Sequence, residues 1–253
     1  MKFSESTLAI LKNFAEINDS LLFNEGDKLD TISSQKVIVG SAILEEKLPR
    51  KFAIFDLKQF YTAYEMIEDV DLEFNEKFVL LKGKGRLLKY IYASERQVQG
   101  LPKKIEFPKP DVVLSLSAEH LKELKNVARV MELPEVAFVG ENGKVLIKIL
   151  DSKNSSNHSY SIDLETDAHV DFSIVFKVEN LKMLDGAYDV ELSSKGISHF
   201  SHTKKDLEYW VSAERAVSTF NGVPLKGGAA PTPTPKEEND EDEESFPSDD
   251  DDE

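Results

Sequence analysis

Two kinds of hydrophobic spacing alternate along the chain. Over residues 4–17, Leu8, Leu11 and Ala15 stand beside Ile10, Phe14 and Ile17 at helical intervals, which predicts an amphipathic helix. The same spacing returns at Leu121, Leu124, Ala128 and Met131, behind Ser117, a residue suited to cap a helix N-terminus. The apolar run 52–55 predicts a buried strand, and Asp56 then caps a short helix through Leu57, Phe60, Tyr61 and Tyr64. Its counterpart is the run 172–176, which leads into a helical segment at 180–184 stopped by Gly186. Further strands are predicted at 36–42, 77–81, 87–93, 136–139, 144–150, 188–192 and 207–213, with hairpin turns at 82–85 and 141–144.

The order of elements recurs on either side of a stretch, 101–110, that is punctuated by Pro102, Pro108 and Pro110. This predicts an α+β protein of two similar domains, 1–107 and 108–222, each an antiparallel sheet with two helices on one face. A third segment, 223–253, reads differently. Five of the ten prolines lie between Pro224 and Pro247, and the order Gly-Gly-Ala-Ala, Pro-Thr repeat, acidic run predicts a linker and a disordered tail.

Charge changes the picture of possible partners. The net charge is −16, yet residues 236–253 hold 12 carboxylates against one Lys, which leaves −5 for residues 1–235. Local cationic faces on the folded part are therefore compatible with the composition. Cys is absent, which excludes disulfides, thiolate zinc sites and a cysteine nucleophile and fits a reducing compartment. The opening Met1-Lys2-Phe3-Ser4-Glu5-Ser6 lacks the apolar run of a signal peptide, and no stretch approaches the roughly 20 apolar residues of a membrane span. The expectation is a soluble protein with no membrane partner.

Catalytic constellations are weak. Asp69, Asp71 and Glu73 alternate on one face of an extended segment, as Mg²⁺ ligands do, but a third partner and a base are lacking, so a solvated edge is the expected reading. His199 and His202 have a spacing that ligates metal on a helix, in surroundings that read as a hairpin or loop. The polar stretch 151–158 holds Ser, His and Asp without the order of a triad and reads as a loop between strands. Lys82-Gly83-Lys84-Gly85-Arg86-Leu87-Leu88-Lys89 lacks the nucleotide-loop pattern and reads first as an exposed hairpin. The chain is expected to be no enzyme and to need no cofactor or metal.

Residues 1–18, above all the core Leu11-Lys12-Asn13-Phe14-Ala15-Glu16-Ile17-Asn18, resemble the N-terminal helix of the sliding clamps of T-even-type tailed phages. Asn180-Leu181-Lys182-Met183-Leu184-Asp185-Gly186-Ala187-Tyr188 resembles the second-domain helix and turn of that family, and 209–220 its C-terminal strand and ending. The tail from Pro224 onward has no counterpart in the family pattern. The resemblance implies the DNA clamp fold and a homotrimeric ring around duplex DNA. It also implies a polymerase processivity factor opened by an ATP-driven clamp loader, acting in the cytoplasm of an infected bacterium, with late-transcription factors as partners of some relatives.

A clamp must hold DNA without reading sequence, so its inner helices need one apolar face and one cationic or neutral polar face. Lys122, Lys125 and Arg129 lie at spacings of three and four on one stripe, while Lys12, Lys58 and Lys182 are the polar partners of other apolar faces. These six are the expected DNA-facing residues, although any single exposed lysine is equally explained by solubility. Leu101, Ile105, Val211 and Val217, on the connector and the C-terminal segment, are the expected partner-docking residues. The rival reading is an acidic-tailed interaction protein, a DNA mimic or a chaperone of basic proteins, in which the tail is the working part.

Overall fold

Each α-helix begins where a short polar side chain meets its first free amides. In the computed structural model, which describes residues 1–101, 106–154 and 156–225, Ser4 accepts from the Thr7 amide at 3.1 Å, Asp56 from Gln59 at 2.7 Å and Ser117 from His120 at 3.0 Å. These caps open α1 (Glu5–Ile17), α2 (Leu57–Glu65) and α3 (Ala118–Val130). Strands of the first half are β1 (Leu21–Phe23), β2 (Gly26–Ile32), β3 (Ile38–Leu48), β4 (Phe52–Ile54), β5 (Asp71–Phe74), β6 (Phe78–Gly83) and β7 (Arg86–Ile91). The second half holds β8 (Val112–Leu116), β9 (Glu135–Glu141), β10 (Lys144–Leu150), β11 (Tyr160–Asp167), β12 (Phe172–Lys177), β13 (Tyr188–Leu192), β14 (Ile197–His202), β15 (Leu207–Ser212), β16 (Thr219–Phe220) and β17 (Val223–Pro224).

All strand pairs among the described residues are antiparallel. One six-stranded sheet, in the order β11-β10-β9-β12-β16-β17, belongs to the second half, and smaller sheets β1-β4 and β5-β6-β7 belong to the first. The hairpin turns are as expected: Lys84-Gly85 and Asn142-Gly143 take positive φ at both central positions, the mirror-image turn that matches strand twist.

The expectation of a separate sheet in each half is corrected. A second six-stranded sheet, β2-β3-β15-β14-β13-β8, crosses between the halves, with Ala42, Gly40 and Ile38 of β3 registered against Leu207, Tyr209 and Val211 of β15. One buried apolar cluster accordingly runs from Phe3 to Leu225. Gly40 marks a close approach: a Cβ there would stand 3.0 Å from the Phe14 ring of α1, so the absence of a side chain lets the helix lie on the shared sheet.

Two further expectations change. The segment expected to be a fourth helix is a single 3-10 turn, Val178–Asn180, followed by irregular chain. The carbonyls of Lys182 and Met183 accept from the side chains of Asn13 and Lys125 in place of helical amides. The folded chain also continues beyond residue 222: Asn221-Gly222 turns the chain so that β17 pairs with β16, and Leu225 is buried with its amide on the Ser218 carbonyl at 3.0 Å. Ile105 and the tail from residue 226 lie outside the described residues.

Candidate nucleic-acid face and docking cleft

On one side of the shared sheet, α2, α1, the 178–185 segment and α3 are linked in sequence by side chains. Lys12 of α1 pairs with Glu65 of α2 at 2.5 Å and lies over the Tyr61 ring. Asn13, buried, donates to the Lys182 carbonyl at 3.1 Å and accepts from the Tyr209 hydroxyl at 2.6 Å. Lys182 donates to the Glu16 carbonyl at 2.7 Å, and Lys125 of α3 donates to the Met183 carbonyl at 2.7 Å and pairs with Asp185 at 3.2 Å. Tyr209 also accepts from the Leu184 amide, and Tyr188 donates to the Leu184 carbonyl. Burial pushes both phenols far above their ordinary range, so they act as fixed hydrogen-bonding groups.

The six cations singled out from the sequence thus divide into two sets. Lys12, Lys125 and Lys182 reach back to neighbouring protein groups and bind the helices to one another. Lys58, Lys122 and Arg129 are exposed, and among the described residues none of them meets a carboxylate within ion-pair distance. Lys122 and Asn126 occupy one stripe of α3, with Arg129 one turn further along. Exposed cations of this kind suit a polyanion held by its backbone, without base readout.

The opposite side of the shared sheet is built differently. Outward residues of four strands, Lys28 and Asp30, Ser41 and Ile43, Glu208 and Trp210, and Ser201, floor an open cleft of about 900 Å³, with Leu101, His202 and Lys205 at its margins. Ile43 is 45% exposed, and the connector contributes Leu101 at the margin and Phe107 beyond it. His199 fixes that second point: it stacks on Trp210 at 4.9 Å, meets the Phe107 ring at 5.4 Å, and lies 2.9 Å from Glu191. Apolar patches framed by polar groups are what a short peptide segment can occupy.

Of the expected docking residues, Leu101 lies at the cleft. Val217 is exposed but away from the lining, and Ile105 is outside the described residues. Val211 is corrected: it is fully buried, because on β15 the odd positions Leu207, Tyr209 and Val211 face the helices and the even ones face the cleft. Sequence reading missed Trp210 and Ile43, whose alternation with buried neighbours was the available signal. Asp69, Asp71 and Glu73 each meet a cation, Lys2, the Met1 amino group and Lys82 respectively, and these ammonium partners hold Asp69 and Asp71 below the usual carboxylate range. Asp69 and Asp71 tie the N-terminus to the β5-β6 hairpin, and Glu73 pairs across it.

Comparison with known proteins fits this geometry. A family model described as gp45 sliding clamp, C terminal, matches residues 113–215. The sliding clamp of Vibrio phage KVP40 is 31% identical over 221 residues, covering 85% of this chain and 99% of that protein. The chain belongs to the sliding-clamp family. Its function is accordingly that of a sliding-clamp processivity factor, and the rival reading as an acidic interaction protein gives way. The sliding clamps of Escherichia phage RB69 and Enterobacteria phage T4 are each 27% identical over 226 residues, 87% of this clamp and 99% of theirs. Among solved structures, an A. fulgidus PCNA bound to the C-terminal region of FEN-1 has a TM-score of 0.64 at 13% identity, covering 84% of this chain and 96% of that one. The Entamoeba histolytica Proliferating Cellular Nuclear Antigen has 0.63 at 11%, covering 84% and 97%. These structures share the fold with this clamp across most of its length.

Proposed function

We propose that three copies of the chain, each with two clamp domains divided within the 101–110 connector, close head to tail into a ring around duplex DNA. In this reading α1, α2, α3 and the 178–185 segment face the hole. Lys58, Lys122 and Arg129 touch phosphates directly, while Lys12, Lys125 and Lys182 hold the helices in line. The observation that carries the reading is the division of the shared sheet: a polar, cation-bearing helix side and a peptide-sized cleft on the other. Function then follows from topology, since a closed ring leaves DNA only by opening or by reaching an end.

Two sheet edges support the head-to-tail contact. Edge strand β7 carries Arg86 and Lys89 with Leu87 at 65% and Ile91 at 59% exposure, while edge strand β11 carries Asp163, Glu165 and Asp167. An exposed apolar edge is normally covered, and a cationic edge in one half with an acidic edge in the other forms a heterologous contact that closes into a ring. The cleft at Leu101, Ile43 and Trp210 receives a peptide of the replicative polymerase or of the ATP-driven loader, in the cytoplasm of the infected bacterium.

The test has two stages. Light scattering of the full chain is expected to give a mass close to three times 28.5 kDa. Protein loaded onto a nicked circular plasmid is expected to survive gel filtration in high salt and to be lost once the plasmid is cut to a linear form. A strict monomer at high concentration, or equal retention on circle and line, overturns the ring.

A further inference from the structure

The sliding clamp of Vibrio phage KVP40 is covered to 99% by a match that spans only 85% of this chain, so this chain carries residues which that relative lacks. Beyond Leu225 the sequence continues for 28 residues and concentrates 12 carboxylates around a single aromatic, Phe246. We propose that the segment 237–253 is an internal competitor for the cationic stripe of α3, docking on Lys122, Asn126 and Arg129 and excluding duplex phosphate from them. The proposal rests on the assignment of that stripe to DNA and adds a regulator to it.

Three observations converge on α3. First, Lys122 and Arg129 are exposed with no carboxylate partner among the described residues, while Lys125 between them is tied to Met183 and Asp185. Charge complementarity with a segment of net −12 is direct. Second, the stripe ends in apolar surface that phosphate cannot use: Val130 is 68% exposed, one turn beyond Asn126, and Met131 is 39% exposed. Phe246 offers that surface a partner. On α3 the distance from Lys122 to Val130 is about 12 Å, at roughly 1.5 Å per residue. An extended chain covers that in about four residues, so with Phe246 at Val130 the carboxylates of Asp240, Glu241, Asp242, Glu243 and Glu244 run past Arg129 and Lys122.

Third, the reach is ample. Leu225 follows β17, and the sheet order β17-β16-β12-β9-β10 separates it from β9 and β10, on which α3 packs, by three to four strand spacings of about 4.8 Å. The acidic run starts 12 residues after Leu225, a span of up to about 40 Å when extended. Tethering at such range raises the local concentration of the segment to the order of millimolar, enough to make weak ion pairing effective.

Direct binding decides the matter. A fluorescent peptide of residues 236–253 is titrated into full-length protein whose twelve tail carboxylates are replaced by Asn and Gln. Saturable, salt-sensitive binding is expected, weakened about tenfold by Lys122→Glu with Arg129→Glu and about threefold by Phe246→Ala in the peptide, but kept by a control reversal of exposed Lys36 and Lys47. A Lys122→Gln, Arg129→Gln form guards against misfolding of the reversed protein and is expected to lose about as much. A short duplex titrated at about 50 mM salt is expected to bind the tail-neutralised protein about tenfold more tightly than the native one, the two converging as salt rises. Absent peptide binding, or equal loss in the α3 and control reversals, overturns the proposal. Should duplex bind neither form, the DNA assignment falls, and the peptide titration alone still decides whether the tail docks.

Discussion

The two faces of the shared β2-β3-β15-β14-β13-β8 sheet use the same strands for opposite purposes. Toward the helices, Leu207, Tyr209 and Val211 are fully enclosed, and the Tyr209 hydroxyl is locked between Asn13 and Leu184. Toward the connector, Glu208, Trp210 and Ser201 leave an open cleft beside the stacked pair of Trp210 and His199. The helix side is fixed by enclosure and hydrogen bonds, whereas the outer face is left open. Strand alternation makes this possible, since each β15 residue serves one face alone.

Core deletion on the helix side is expected to have the largest effect. Phe14 is completely buried against the sheet at Gly40, and Phe14→Ala is expected to cost about 3–5 kcal/mol in urea unfolding. A cost under about 1 kcal/mol would erase the contrast between the faces. Tyr209→Phe keeps the ring but leaves Asn13 and the Leu184 amide without their partner, for an expected loss of about 1–3 kcal/mol. Ile43→Glu on the cleft side should leave stability within about 0.5 kcal/mol while weakening a bound polymerase or loader peptide about tenfold, read by anisotropy. An intact peptide affinity would move the docking site elsewhere.

The smallest effect concerns His202 at the cleft margin. Burial lowers its pKa below 6.5, and its Nδ1 accepts from the Lys204 amide at 3.0 Å, a role open only to the neutral ring. Because the unfolded chain binds this proton more readily, the contribution is fully present above pH 6.5 and is lost as pH falls through 6.5 toward the folded value. The melting temperature is expected to fall slightly between pH 7 and 5 through this residue, and His202→Gln to flatten that slope. An unchanged slope would assign the acid sensitivity to other groups.

Much of the fold was legible because its signals are local. The caps Ser117 and Asp56, the turns at 82–85 and 141–144, and the strands β10 and β13 follow from residues within a few positions of one another. Strands such as β2, with Asp27, Lys28 and Asp30 among seven residues, and the acidic edge β11 were not legible, because their outward positions face solvent or a strand edge and blur the alternation. The six cations were all identifiable as residue types, but their division into three that bind protein groups and three that face solvent was not.

By itself, then, the sequence determined the amphipathic helices, the hairpins, the family resemblance and the segregation of charge into the final residues, since each is written in neighbouring positions. Tertiary structure alone decided that β3 and β15, more than 160 residues apart, join the halves in one sheet. It also decided that 181–185 is irregular chain held by Asn13 and Lys125, and that Trp210 faces out while Val211 faces in. The physical reason is common to all three: register, carbonyl partners and facing are settled by groups that meet only after the chain has folded, and local propensity carries no record of them.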